Sequence, residues 1–130
     1  MKIIKAIWTA SCVLGALSVF PAGASATGVL YSPPVVLANV NSHIACDLVN
    51  VGKSNITATV ETLGFRGAVR TTNTCTVAPG ADMCSISNDF AGSGGPSYAR
   101  FTTSGSRKTI RAGCTLYDGN GEEAGVFPAQ

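Results

Sequence analysis

His43-Ile-Ala-Cys-Asp-Leu-Val-Asn50 and Ile110-Arg-Ala-Gly-Cys-Thr-Leu-Tyr117 alternate apolar and polar residues in the same way. In an extended chain successive side chains point to opposite faces. The first run therefore sets Ile44, Cys46 and Leu48 on one face, with His43, Ala45 and Asp47 on the other. The second sets Ile110, Ala112, Cys114 and Leu116 together, away from Thr109, Arg111, Thr115 and Tyr117. Both read as half-buried strands, and each carries its cysteine on the apolar side.

Outward from these two runs, the chain after Ala26 shows no sustained helical periodicity. Short Val/Ile/Thr-rich runs at 35–40, 56–63, 67–72, 83–87, 98–103 and 123–127 join 43–50 and 108–117, with Gly, Pro, Asn and Ser between them. Pro33-Pro34 places the first run on an edge, because proline cannot donate to a ladder. Asn50-Val-Gly52-Lys-Ser54 reads as the turn between the second and third runs. Asp118-Gly-Asn-Gly121 reads as the hairpin between the last two. The expectation is an all-β, immunoglobulin-like antiparallel β-sandwich of seven to eight short strands.

Four cysteines lie in this region: Cys46, Cys75, Cys84 and Cys114. An even number in a short exported chain implies two disulfides, with three possible pairings. Pro79-Gly80 forms a turn signal between Cys75 and Cys84, which makes a Cys75–Cys84 bridge easy to close. Cys46–Cys114 is then the other bridge, expected to tie two packed sheets together as in immunoglobulin-type domains. Loop entropy assigns the long bridge ~4 kcal/mol and the short one ~2.5–3. A zinc site lacks support, since no short Cys-x2–4-Cys pair is present and His43 is the only histidine.

The amino-terminal end carries export features. Lys2 and Lys5 precede an apolar stretch from Ala6 to Phe20, then Pro21 and Ala22-Gly-Ala-Ser-Ala26. This is the pattern of a cleavable signal peptide over 1–26, cut after Ala26, leaving a single domain at 27–130. The apolar stretch falls short of the ~20 residues that span a bilayer, so no membrane span is expected after cleavage. Cys12 is read as part of the signal rather than as a lipidated residue, because the apolar run continues beyond it. Without Lys2 and Lys5, nine basic residues become seven, against seven acidic ones. A neutral domain offers no electrostatic reason to bind nucleic acid. Trp8, the one tryptophan, lies in the signal, which leaves Tyr31, Tyr98, Tyr117 and four phenylalanines as aromatic platforms.

A wider likeness is carried by Cys46-Asp-Leu-Val-Asn-Val-Gly52, Ile56-Thr-Ala-Thr-Val-Glu-Thr-Leu63, Cys75-Thr-Val-Ala-Pro-Gly80, Cys84, Ile110-Arg-Ala112 and Leu116-Tyr-Asp-Gly-Asn-Gly121. This order resembles an uncharacterised group of short secreted proteins of Gram-negative bacteria. It is similar, more distantly, to the cell-adhesion-related immunoglobulin-like domain of bacteria. The resemblance covers most of 44–121, rests on turns and cysteines, and implies a fold without implying catalytic residues.

Chemistry-bearing constellations are sparse. Asp47 shares a strand face with His43 but sits ~13 Å along it, so the two form no dyad. All four cysteines of the domain are expected to be oxidised, which removes the thiol nucleophile. Asp118-Gly-Asn-Gly-Glu122 has the opening of a calcium loop, but Glu123 and Ala129 stand where that loop needs Gly and Glu. Glu61, Asp89, Glu122 and Glu123 show no spacing for a paired acid and base. Gly92-Ser-Gly-Gly-Pro96 reads as a loop without the helix that a phosphate cradle requires. Asn55-Ile-Thr57 matches a glycosylation sequon, against which the bacterial style of the signal argues. Arg100, Arg107, Lys108 and Arg111 form a candidate interaction patch for an acidic partner. No catalytic residue, cofactor or metal is therefore expected. The expected function is a non-enzymatic module, periplasmic or extracellular, that binds an unknown protein or cell-surface component. A pilus-like subunit of a surface polymer and a small secreted enzyme inhibitor are the alternatives.

Overall fold

The computed structural model describes residues 27–36, 41–80, 82–89 and 96–130. The signal-peptide reading at 1–26, the 37–40 part of the first strand reading and the loop reading at 92–95 lie outside the described residues. Nine strands are present among those described: β1 Gly28–Tyr31, β2 Val35–Val36, β3 His43–Asn50, β4 Ile56–Leu63, β5 Val69–Val77, β6 Met83–Asp89, β7 Pro96–Thr103, β8 Ile110–Tyr117 and β9 Glu123–Pro128. Sheet I has the order β1-β7-β4-β5, with β2 also paired to β7. Sheet II has the order β6-β3-β8-β9, and every pairing in both sheets is antiparallel.

The inward faces form one core. Leu30, Ile56, Ala58, Val60, Val77, Ala99 and Phe101 from sheet I meet Ile44, Cys46, Leu48, Cys84, Ile86, Ile110 and Cys114 from sheet II. Burial in β3 and β7 alternates strictly, as a strand with one face on the core and one on solvent requires. Phe101 is the largest of the fully buried side chains.

The strand count is nine instead of seven to eight. β1 was not anticipated, because Gly28-Val-Leu-Tyr31 is short and carries no alternation. β5 runs to Val77 instead of stopping near 72, because its second half, Asn73-Thr-Cys-Thr-Val77, exposes Asn73, Thr74 and Thr76 and offers no apolar run before the buried Val77. β8 begins at Ile110 instead of 108, since Arg107–Thr109 forms a 3-10 turn capped by the Ser106 hydroxyl.

Both disulfides are present, Cys46–Cys114 and Cys75–Cys84. Their architectural roles are the reverse of those expected. Cys46 and Cys114 stand directly opposite each other on the neighbouring strands β3 and β8, with Cα atoms 4.0 Å apart. That bridge lies within sheet II. Cys75 on β5 and Cys84 on β6 belong to different sheets, so the short-loop bridge is the one that ties the sandwich together. Strand phase correctly turns Cys46 and Cys114 inward, but inward residues can meet a lateral neighbour as readily as the opposite sheet.

Candidate functional site

Three connections meet at one end of the sandwich: 51–55 after β3, 78–80 with Asp82 after β5, and 104–109 after β7. Each crosses from one sheet to the other. Asn50, with no solvent exposure, holds the first in place. Its amide donates to the carbonyls of Ser54 and Val77 at 2.8 and 3.0 Å, and its Oδ1 accepts from the Gly52 N–H at 2.9 Å. The Asn50 carbonyl in turn accepts from the Gly80 N–H, which fastens the second connection. Glycine suits position 52, because a Cβ there would sit 3.0 Å from both Asn50 Oδ1 and Thr109 Cβ and press on the turn.

The third connection is clipped on by backbone and hydroxyl contacts. Val51 donates to the Thr109 carbonyl, and Ser104 donates to the Thr57 carbonyl. Ser104 Oγ accepts from the Thr57 N–H at 3.0 Å, and Thr109 Oγ1 donates to the Ser106 carbonyl at 2.7 Å. Loop backbone satisfied in this way presents preorganised groups instead of paying ordering entropy on binding.

Two clefts result, one on each side of the Asn50 turn. The first, of about 330 Å³, is polar: Lys53, Ser54, Asn55, Ser104, Ser106 and Thr109 line it. The second, of about 290 Å³, is bounded by Val49, Val51, Gly80, Asp82 and Met83. Its apolar side chains are open to solvent, Val51 at 52% and Met83 at 61% exposure. Hydroxyls, amides and one ammonium beside an apolar trough suit recognition. Neither lining contains a histidine, and among the described residues all four cysteines are in disulfides.

No family model, curated protein or solved structure matches this chain.

Of the four residues of the expected basic patch, Arg100 is separated from the other three. Arg100 projects from the middle of β7 and is bound to Glu61 of β4, Nε to Oε2 at 2.6 Å. That carboxylate, by hydrogen bond and charge, raises the Arg100 guanidinium above its ordinary pKa. Tyr31 adds a further hydrogen bond to Arg100. Arg107 and Lys108 lie exposed in the 104–109 connection, next to the polar cleft. Arg111 is on β8 in the other sheet, with its guanidinium turned onto the carbonyls of Lys108 and Ile110. Arg107, Lys108 and Arg111 thus share one end of the molecule, and Arg100 stands apart from them.

His43 stacks on Tyr117 of the neighbouring strand, with centroids 4.7 Å apart and planes inclined by 11°. It lies at the far end of β3, ~23 Å along the strand from Asn50. Asp118 accepts the N–H groups of Asn120 and Glu122 at 2.8 and 2.9 Å, closing the hairpin before β9. Those two amides hold its carboxyl below the usual carboxylate range. Among the described residues no three His, Cys, Asp or Glu side chains gather as a metal site would require.

Of the cleft residues, sequence reading singled out the Asn50–Ser54 turn, Asn55 in a glycosylation sequon and Gly80 in a turn, none of them as lining a shared cleft. The polar cleft combines 50–56 with 104–109, segments about fifty residues apart, and no local pattern announces that they meet. The available signal was Ser104-Gly-Ser106 together with Asn50-x-Gly52, two turn motifs rich in hydrogen-bonding side chains.

Proposed function

We propose that this chain is an exported, non-enzymatic binding module that engages a protein or cell-surface component through the 51–55, 78–82 and 104–109 connections. One observation carries the reading: three hydrogen-bonded loops at one end of a disulfide-braced sandwich frame a polar cleft and an apolar trough side by side. Rigid scaffolds with recognition loops at one end are a recurrent solution to binding. Arg107 and Lys108 beside the cleft favour an acidic partner surface. Export is supported by two disulfides, which persist in oxidising compartments. It is supported further by the signal-like stretch at 1–26. Among the described residues no helix is long and apolar enough to cross a membrane. A periplasmic or extracellular immunoglobulin-like domain, related to the secreted Gram-negative group, fits these features.

The test is retention of the cell-envelope fraction of the source organism on immobilised protein. Ser54→Trp with Asn55→Trp would fill the polar cleft with neutral bulk from exposed positions while leaving the core and the Ser106 cap untouched. Loss of specific retention at an unchanged melting temperature is the expected result. Undiminished retention by the variant, or turnover of a substrate that a single side-chain change abolishes, would refute the reading.

A further inference from the structure

Backbone contacts set the side chains of the polar cleft to donate hydrogen bonds. Ser104 Oγ accepts from the Thr57 N–H, and Ser106 Oγ accepts from the Lys108 N–H. Each serine is held by its oxygen and keeps its own hydroxyl proton to give. Lys53 adds an exposed ammonium with three donors and no carboxylate partner among the described residues. Thr109 is the exception, since its hydroxyl proton goes to the Ser106 carbonyl. No aspartate or glutamate lines the cleft. Charge is segregated in the same sense. Residues 27–130 balance seven cations with seven anions, yet the three connections hold Lys53, Arg107 and Lys108 against one carboxylate, Asp82. Asp118, Glu122 and Glu123 lie at the opposite end, in the β8–β9 hairpin. Asp82 itself borders the apolar trough and not the polar cleft.

We propose that the loop end binds an extended peptide segment of a partner protein, with an aspartate or glutamate side chain in the polar cleft and an apolar side chain in the trough. This rests on the reading of the loop end as a binding surface and names what it binds. The two recesses flank a single turn, Val51 bordering the trough and Lys53 the cleft, so these residues are no more than ~7 Å apart along the chain. Alternate residues of an extended peptide share a face and stand the same ~7 Å apart. Neither lining offers an aromatic ring on which a sugar would stack. Asp82 sets the order of the two side chains: it repels an acid from the trough, while Lys53 attracts one into the cleft.

Amide-shift titration of the disulfide-intact protein by NMR reads weak binding of this kind. The probe is a pool of capped heptapeptides with glutamate and leucine fixed two positions apart, in either order, and the other positions randomised. The comparison pool has glutamine in place of the glutamate. Shifts centred on the three connections and Met83, with the glutamate pool binding at least roughly threefold more tightly, are the expected result. Lys53→Gln should abolish that preference without moving the melting temperature, because Lys53 is exposed and makes no contact that the fold uses. Met83→Ser should weaken both pools alike. A glutamate pool that does not bind, or binds no better than the glutamine pool, would overturn the proposal. So would a preference that survives Lys53→Gln. Oligogalacturonate that shifts the cleft amides at lower concentration than the peptides would assign the site to an acidic saccharide instead. Envelope retention abolished by Ser54→Trp with Asn55→Trp but untouched by Lys53→Gln would refute the acidic peptide and leave the binding reading standing.

Discussion

Tyr31 and Gln130 exchange both of their backbone hydrogen bonds, each 3.0 Å long, and so join the end of β1 in sheet I to the residues after β9 in sheet II. The opposite side of the sandwich is closed covalently, by Cys75 on β5 and Cys84 on β6. The core is thus sealed along one side by a pair of hydrogen bonds and along the other by a disulfide. The former is the weaker closure, because a net backbone hydrogen bond is worth ~0.5–1.5 kcal/mol. Deleting Gln130 is expected to cost about 1–3 kcal/mol in denaturant titration and to speed amide exchange at Tyr31 before that of the core strands.

The two disulfides can be compared by removal. Replacing Cys75 and Cys84 by alanine should destabilise the domain by ~3 kcal/mol, and replacing Cys46 and Cys114 by ~4 kcal/mol. The second bridge links residues 68 apart in sequence, against nine for the first, and so restrains the unfolded chain more. Chemical denaturation of each double variant measures the order. A larger loss from the Cys75–Cys84 pair would show that the inter-sheet clamp outweighs chain entropy.

Asn50 holds the loop end together from a fully buried position. Alanine there strands the Val77 carbonyl inside the protein and removes three hydrogen bonds, for an expected loss of ~2–3 kcal/mol. Asn50→Asp should be at least as damaging, because a carboxylate would face two carbonyl oxygens. Thermal melts of both variants check the order.

Acid sensitivity has an identifiable contributor at Asp118. Its folded pKa is depressed, chiefly by the backbone amide of Glu122 and then by that of Asn120. A depressed carboxylate stabilises the fold above its unfolded value of ~3.9, and that contribution disappears as pH falls through the folded value. Asp118→Asn should therefore melt below the wild type at neutral pH, with the difference shrinking as pH drops towards ~2. A gap that stays constant across the series would show that the charge is not the cause.

Legibility in the sequence followed burial. β3 and β4 were bounded correctly at 43–50 and 56–63, because one face of each packs on the core and writes an alternation into the chain. The second half of β5 has little such alternation, since an edge strand with exposed threonines is under weak pressure to vary its two faces. Both cysteine pairs were recoverable from the Pro79-Gly80 turn and strand phase, whereas their assignment to sheets was not. Phase reports whether a side chain points inward, but says nothing about which strand it meets there. The loop-end clefts were hidden for a related reason: Asn50 and Ser106 come to line one cleft only after the four strands between them, β4 to β7, are in place.

The most direct test of recognition through the loop end is site-specific photo-crosslinking in the cell of origin. A photoreactive residue at Ser106 would probe the polar cleft, and one at Met83 the apolar trough. One at Thr115, on the outward face of sheet II, serves as the control. Discrete covalent adducts to another component from Ser106 and Met83, but not from Thr115, are the expected result. Adducts confined to Thr115, or none from either cleft position, would contradict binding through this end of the sandwich.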